Sequence, residues 1–408
     1  MEPTRALLAA CAALLATALL AGCVVNEQRP MPRIAAERAT TEVPEDELLD
    51  VGVRLFDPNV PEDESEREKQ RIFPEVRKAE SRYIPMMVRD TLEQTGQWGQ
   101  VRVLPPDGTG MEVFVDGRIL ESDGRELRLA VVVTDAAGRT WIDRTYEARA
   151  DTRAYKEVVA KPRDPFENLY NTLANDLLAA RRALTREQRV ELRRVANLRF
   201  AADLAPYAFG SYLARDRKGL YSVMRLPAED DPVVQRMQRV RERDYALVDT
   251  LNEHYANFGG SMAEPYTQYR KFSHEELEAE AQAKREALTR QVLGAVAVVG
   301  GIMAGQETNS SAGSAAATAA VIGGMYAFRS GLDKRAEVKV SAESLKQLGD
   351  SFQSEVQPMV VDIEGRTLQL KGSAEQQYAE WRQLLRELYE NETGLPAGST
   401  AAVPPGRS

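Results

Sequence analysis

Between residues 48 and 182, short apolar runs are separated by turn residues, a pattern that is typical of β-strands. Asp123-Gly124 and Ala137-Gly138 are turn signals between the last three runs. We predict strands over 50–57, 100–105, 111–121, 126–136 and 140–148, a helix over 74–94 that contains Pro85, and a second helix that begins at Asp164-Pro165-Phe166-Glu167. This order of one strand, a helix and four strands indicates an α+β fold, with a small α/β module and a mainly antiparallel sheet over 48–182.

From 183 to 290 the chain is expected to be helical. Capping boxes at Thr185–Gln188 and Ser273–Glu276 mark two helix starts, and Gly259-Gly260 together with Pro265 predict a break between them. One mostly aromatic stripe has residues three or four apart: Leu251, Tyr255, Phe258, Met262, Tyr266 and Tyr269. We interpret this stripe as the packed face of a helix. The alternative is a ligand groove.

Residues 291–331 contain two uncharged stretches, 292–305 and 312–328, joined by a polar connector. The pattern predicts a helical hairpin in which small residues four apart share one face, so that two backbones can approach closely: Ala297, Gly301, Gly305, Ala316, Ala320 and Gly324. The arms would be about 21 and 26 Å long, short of the roughly 30 Å of a hydrocarbon core. Three settings stay open: burial against neighbouring helices, insertion into a membrane, and an oligomer contact.

The C-terminal part, 332–393, is predicted to combine a β-hairpin over 358–372 with a helix. The hairpin turns at Glu364-Gly365, and the helix is capped by Ser373–Gln376. Pro, Gly and Ser dominate 394–408, which predicts a disordered tail.

The first 22 residues are typical of a secretory signal peptide, because Arg5 precedes an apolar run over 6–21 that is too short to span a membrane. Leu20-Ala21-Gly22-Cys23 ends this run and resembles the lipobox of bacterial lipoproteins. The resemblance implies cleavage before Cys23, acylation of that cysteine and stable membrane attachment through several acyl chains. Val24 follows the cysteine at the position where Asp would favour retention in the inner membrane. The absence of Asp indicates that the lipoprotein is located in the outer membrane. The alternative is an ordinary signal peptide with a chance cysteine.

Residues 23–47 contain three prolines and scattered charges and are expected to form a flexible tether.

Composition argues against several kinds of chemistry. The only cysteines are Cys11 and Cys23 and the only histidines are His254 and His274, which nearly excludes Cys–His, Ser–His and histidine-rich metal sites. The helix around His274 departs from a zinc-protease motif because Glu278 stands where a second histidine is needed. A net charge of −9 argues against a nucleic-acid partner. We therefore predict no catalytic residue, no metal and no cofactor.

The strand, helix, meander and helix over 48–182, with a strand segment reading DAAGRTWIDRTY, resemble the α/β module of several periplasmic proteins. These are the amino-terminal domain of translocation protein TolB, the curli-secretion lipoprotein and the lipoprotein activators of penicillin-binding proteins. The resemblance implies a fold and carries over no functional residue.

Together these features predict a non-catalytic lipoprotein, anchored to the outer membrane through Cys23 with its folded part in the periplasm, that binds protein partners in a cell-envelope assembly. The alternative is an oligomeric secretion or pore component that pairs its 291–331 hairpins in the membrane. A hydrolase that uses carboxylates is a third interpretation.

Overall fold

A mixed five-stranded sheet forms the centre of the fold, with the strand order β2-β1-β3-β4-β5. β1 (Val51–Arg54) pairs in parallel with β2 (Val101–Leu104) and with β3 (Val113–Ser122). β3, β4 (Glu126–Asp135) and β5 (Thr140–Arg149) form an antiparallel meander. Its hydrogen-bonded ladders are longer than the parallel ladders of β1. The predicted α+β class is therefore confirmed.

The structure is a computed structural model that describes residues 32–150, 155, 164–228, 230–304, 338–344, 346–347, 350, 359–363 and 366–393. Of 286–304, 359–363, 366–368 and 392–393 it describes the backbone alone. The chain forms two compact units, Met1–Arg33 and Ile34–Ser408. Every contact below lies within the second unit.

Helices and two small hairpins complete the fold. The helices include α1 (Glu64–Gln70), α2 (Pro74–Thr95), α3 (Glu167–Arg182), α4 (Arg186–Leu204), α5 (Pro206–Phe209), α6 (Pro232–Ala304) and α7 (Ala374–Thr393). The hairpins are β6 (Leu213–Arg215) with β7 (Tyr221–Val223), and β8 (Met359–Ile363) with β9 (Arg366–Leu370). The second hairpin and α7 match the predicted C-terminal elements.

The main core lies between one face of the sheet and helices α2 and α3. Alternate residues along β3 and β4 point to this face, as the two-residue period of a strand requires. The strand side chains are Val113, Val115, Ile119, Leu129, Val131 and Val133, and the helix side chains include Ile84, Leu92, Leu169, Leu173 and Leu177. A second core joins α4, α6 and α7, with Phe200, Leu251, Trp381 and Leu385 at its centre.

α6 is one continuous helix of 73 residues, so the break predicted at Gly259-Gly260 and Pro265 is wrong. Two glycines and a proline cost a helix roughly 5 kcal/mol in total. The six side chains of the predicted stripe are all buried, at 0 to 5 % exposure, and burying a large apolar side chain contributes about 1.5–3 kcal/mol. Burial of the stripe therefore outweighs the local cost, and its interpretation as a packed helix face is confirmed.

Local helix signals were right where no long-range contact competes with them. Thr185 forms the predicted capping box with Gln188 at the start of α4, and Ser373 and Gln376 form the predicted one before α7. The box predicted at Ser273 is wrong, because Ser273 lies inside α6 and its hydroxyl donates to the carbonyl of Asp123 at 2.6 Å. α3 begins at Glu167, three residues after the predicted cap Asp164, whose Oδ1 accepts from the amide of Phe166 instead.

The N-terminal segment (34–48) is part of the folded unit, so the tether predicted over 23–47 is wrong for this portion. Asn168, Asn171 and Asn175 on α3 hydrogen-bond to the backbone of residues 34–37. Further along, Arg189 of α4 forms an ion pair of 2.8 Å with Glu47. Side-chain amides and paired charges thus hold a segment whose own sequence has no regular apolar pattern. Residues 23–31 of the predicted tether lie outside the described residues.

Candidate functional site

Most of the predicted site residues fall outside the part of the chain that the structure describes. Cys23, Gly305, Ala316, Ala320 and Gly324 belong to this group, as do the signal peptide, the second hairpin arm and the tail over 394–408. Ala297 and Gly301 are described as backbone positions in the last turns of α6. Because they are four residues apart on a continuous helix, they share one face. Within the part of the chain that the structure describes, no helical stretch combines the length and the hydropathy of a membrane span.

A buried polar cluster joins α6 to α2 and to the end of β3. The carboxylate of Glu80 is fully buried, and its Oε1 accepts hydrogen bonds from Ser122 at 2.6 Å and from Tyr266 at 2.8 Å. Arg77 Nε lies 3.6 Å from Oε2. Burial raises the pKa of Glu80, while Arg77 and the two hydroxyls oppose the rise. The carboxylate thus ties three elements together.

Arg270 joins α6 to the segment before α3. Its Nη1 donates to Oδ2 of Asp164 at 2.9 Å, and the side chains are only 2 % and 6 % exposed. The guanidinium lies 4.3 Å from the ring centroid of Tyr266. The backbone carbonyl of Arg270 touches the β3–β4 turn, where Gly124 has φ +78° and an added Cβ would lie 2.2 Å from that oxygen. Glycine is therefore required for the helix to approach the sheet this closely.

Asn252 of α6 closes the open edge of the sheet. β2 is an edge strand, and unpaired backbone groups on such a strand recruit other chains. The side chain of Asn252 accepts from the amide of Val103 at 2.7 Å and donates to the carbonyl of the same residue at 3.0 Å. One amide side chain thus replaces a neighbouring strand at this position, and α6 covers the edge.

The C-terminal helix is joined to α6 and α4 through buried charges. Asp244 of α6 is fully buried, and Arg382 Nη1 lies 3.7 Å from its Oδ1. Burial raises the pKa of Asp244 to about 6, and Arg382 opposes the rise. Arg382 also forms an ion pair with Asp203 of α4. Arg71 forms ion pairs with Glu276 and Glu280 further along α6. Contacts therefore hold α6 to the rest of the fold from Asp244 to Glu280, about 54 Å along the helix.

An arginine-lined cleft of about 490 Å³ lies between the sheet, α4 and the β6–β7 hairpin. Its apolar walls include Met111, Phe114, Phe200 and Leu213, and its polar walls include Arg54, Thr109, Asp135, Arg199 and Asp203. The volume falls within the usual range of small-molecule pockets.

The two arginines of this arginine-lined cleft differ in how their charges are balanced. Arg54 Nη1 lies 3.0 Å from both carboxylate oxygens of Asp116, so its charge is paired. Arg199 Nη1 donates to the carbonyl of Ala136 at 2.6 Å, and its guanidinium lies 4.3 Å from the ring centroid of Tyr221. Within the described residues Arg199 forms no ion pair. Burial lowers its pKa, which reflects a cation that lacks full solvation.

His274 has a packing role in the structure. Its ring lies 5.2 Å from that of Tyr155, and burial lowers its pKa. Within the described parts of the chain, no group of three or more His, Cys, Asp or Glu side chains is arranged to hold a metal ion.

None of these residues was predicted from the sequence, although a signal for some of them is present. Arg270 lies four residues after Tyr266 in the aromatic stripe, and a charge at a stripe position is a signal of a buried ion pair. Glu80 gives the same signal within the apolar face of α2. Asn252 and Arg199 give no such signal, and their partners lie at sequence separations of 149 and 63 residues.

Compared with known proteins, the chain matches no protein-family model, no curated protein and no solved structure. The functional proposals below therefore depend on the residues and on the geometry described above.

Proposed function

We propose that the protein is a non-catalytic, lipid-anchored lipoprotein of the outer membrane whose folded part binds protein partners in a cell-envelope assembly. The observation that carries this proposal is the attachment of α6 to the α/β module and to α7. Three polar contacts along the helix, at Asp244, Asn252 and Arg270, join elements that are distant in sequence. A long helix that is fixed to a sheet at several points is suited to holding partners at fixed positions.

The burial of the strongly perturbed acids supports a role without catalysis. Perturbed ionisable groups often mark active sites. Here Glu80, Glu112 and Asp244 are at most 1 % exposed and serve as contacts between elements, where a substrate has no access to them.

The anchor is proposed from the lipobox at Cys23. Because Ile34 is hydrogen-bonded to α3, ten residues (24–33) lie between the acylated cysteine and the folded unit, and the eleven Cα–Cα steps span at most about 40 Å. The folded unit would thus be held close to the periplasmic surface of the outer membrane.

One observation favours the alternative function, an oligomeric secretion or pore component. α6 continues without a break to Ala304 and so carries Ala297 and Gly301 on one face of a helix that is fixed to the folded unit. Copies of the chain would pair these faces, with the second arm of the hairpin, in the membrane.

The test is membrane fractionation of the full chain carrying Cys23→Ser, with Cys11→Ser as the matched control in the same leader. We expect metabolic labelling with an alkyne fatty acid to mark wild type and Cys11→Ser, and a high-salt wash to release only Cys23→Ser. An unlabelled wild-type chain contradicts the anchor. A Cys23→Ser chain that stays in the membrane, together with crosslinked ladders that Gly301→Leu abolishes, supports the pore component instead.

Partner binding is tested by pull-down from solubilised envelopes with wild type and with Arg270→Met. A partner that wild type retains and Arg270→Met loses supports the proposal. Recovery of the same partners by both proteins contradicts a role for the attachment of α6 in partner binding.

A further inference from the structure

We propose that the arginine-lined cleft binds a small organic monocarboxylate with an apolar body. The proposal goes beyond the envelope role above and does not depend on it. It rests on the balance of charge in the cleft, on the nature of its walls and on its size.

The acidic and basic side chains of the cleft wall leave one cation without an acidic partner. Asp116 pairs with Arg54, and the buried carboxylate of Asp135 accepts from Arg139 Nε at 2.8 Å and from Trp141 Nε1 at 3.0 Å. Asp203 forms ion pairs with Arg382 and Arg386 of α7. Arg199 is thus the wall cation that these pairs leave without a counter-charge, and a guanidinium matches the planar geometry of a carboxylate.

A second polar group in the wall lacks a partner. The hydroxyl of Thr109 is buried, and within the described residues it makes no hydrogen bond. A buried hydroxyl without a partner is costly, so a ligand oxygen brought within hydrogen-bond distance of it would remove that cost.

The remaining walls favour an apolar body over a bare anion. Phe114 is already covered on one side by the Arg54 guanidinium at 4.2 Å, and Met111, Phe200 and Leu213 line the same space. A carboxylate on Arg199 would leave an aliphatic or aromatic group of the ligand against these side chains.

The experiment is calorimetric titration of the full mature chain in a neutral detergent. The probe is N-acetyl-phenylalanine, and N-acetyl-phenylalanine amide has the same shape without the charge. We expect saturable binding of the acid and binding of the amide that is about tenfold weaker or more, as for loss of a charge-assisted hydrogen bond. Equal affinities for acid and amide, or no saturable binding of the acid below about 1 mM, would overturn the proposal. Inorganic phosphate that binds as well as the acid would overturn the proposed ligand class.

Variants of Arg199 test whether the ligand binds in the arginine-lined cleft. Arg199→Gln should weaken binding of the acid about tenfold or more, and Arg199→Lys, which keeps the charge, should recover part of the loss. Arg194→Gln is the matched control, because Arg194 lies on the same helix, is half exposed and is outside the arginine-lined cleft. Chemical denaturation of each variant shows that it folds. A folded Arg199→Gln protein with wild-type affinity, or an equal loss in Arg194→Gln, contradicts the assignment.

Discussion

Arg270 and Asp164, which are 106 residues apart in the sequence, form a hydrogen-bonded ion pair of 2.9 Å that is almost completely buried. Removing two charges from water is costly, and their attraction offsets this cost only when the geometry and the remaining hydrogen bonds are good. Asp164 uses its second oxygen on the amide of Phe166 at 2.8 Å, and Arg270 stacks on Tyr266. The pair therefore fixes the position of the long helix against the start of α3.

Removing one member of this ion pair should strongly destabilise the protein. We expect Arg270→Met to lower the free energy of unfolding by about 3–5 kcal/mol, because it leaves Asp164 buried and charged without its partner. The matched control is Arg118→Met, which removes a partner of Asp57 in a pair whose side chains are 59 % and 47 % exposed. That change should cost less than about 1 kcal/mol. Urea denaturation monitored by circular dichroism measures both, and equal losses would contradict a structural role for the buried pair.

Two glycines, one inside α6 and one in the β3–β4 turn that contacts α6, should respond in opposite directions. Gly260 lies inside α6 with open space around an added Cβ, so Gly260→Ala should stabilise the protein by about 0.5–1 kcal/mol. Gly124→Ala should destabilise it by about 2 kcal/mol or more, because the residue has φ +78° and its Cβ would overlap the carbonyl oxygen of Arg270. Thermal unfolding of both variants provides the measurement. A loss of stability in Gly260→Ala would mean that the helix breaks at the glycine pair, as the sequence alone predicts.

Elements with a clear local sequence pattern have nearly the bounds that the sequence predicts. The helix predicted over 74–94 is observed over Pro74–Thr95, and the strand predicted over 126–136 is observed over Glu126–Asp135. In these elements the local pattern and the tertiary packing agree.

Predictions failed where distant residues outweigh local preference. Gly259-Gly260 and Pro265 are helix breakers, but they lie within a helix whose aromatic stripe is buried against α2 and α7. Residues 34–47 have no apolar period, and asparagines of α3 more than 130 positions away hold the start of this segment.

The arginine-lined cleft was not predictable from the sequence either. It combines Arg54, Thr109 and Arg199 from three separate parts of the chain, and no spacing within any one of them distinguishes these residues. Their significance lies in which charges are paired, and pairing is a property of the fold.

Asn252 provides a direct test of how the sheet edge is closed. Asn252→Ala removes both hydrogen bonds to Val103 and leaves the buried backbone amide and carbonyl of Val103 without partners. The free energy of unfolding should fall by about 2–4 kcal/mol. Hydrogen exchange of the Val103 amide should accelerate more than that of the central strand β3. Asn257→Ala, at an exposed position of the same helix, is the control and should change neither quantity. Unchanged exchange at Val103 in the Asn252 variant would show that another group protects the edge.

The carboxyl of Glu112 should make stability depend on pH. It is 1 % exposed and accepts from the amide of Asp50 at 2.6 Å. Burial, and next the nearby Asp50 carboxylate, raise the pKa of Glu112 from 4.5 to about 7. Between these two values the folded protein binds a proton that the unfolded chain has released, so stability falls as the pH rises from about 4.5 to about 7 and levels off outside this range.

Glu112→Gln should remove this part of the pH dependence, because the amide is neutral throughout and its oxygen can still accept from Asp50. Relative to wild type, the variant should gain about 3 kcal/mol in unfolding free energy between pH 4.5 and pH 7.5. Asp244 contributes a slope of the same sign in both proteins, so the difference between them isolates Glu112. Glu264→Gln, at an exposed position of α6, controls for replacing a carboxyl as such. Denaturation curves recorded at several pH values decide the matter, and parallel profiles for wild type and Glu112→Gln would show that Glu112 does not take up this proton.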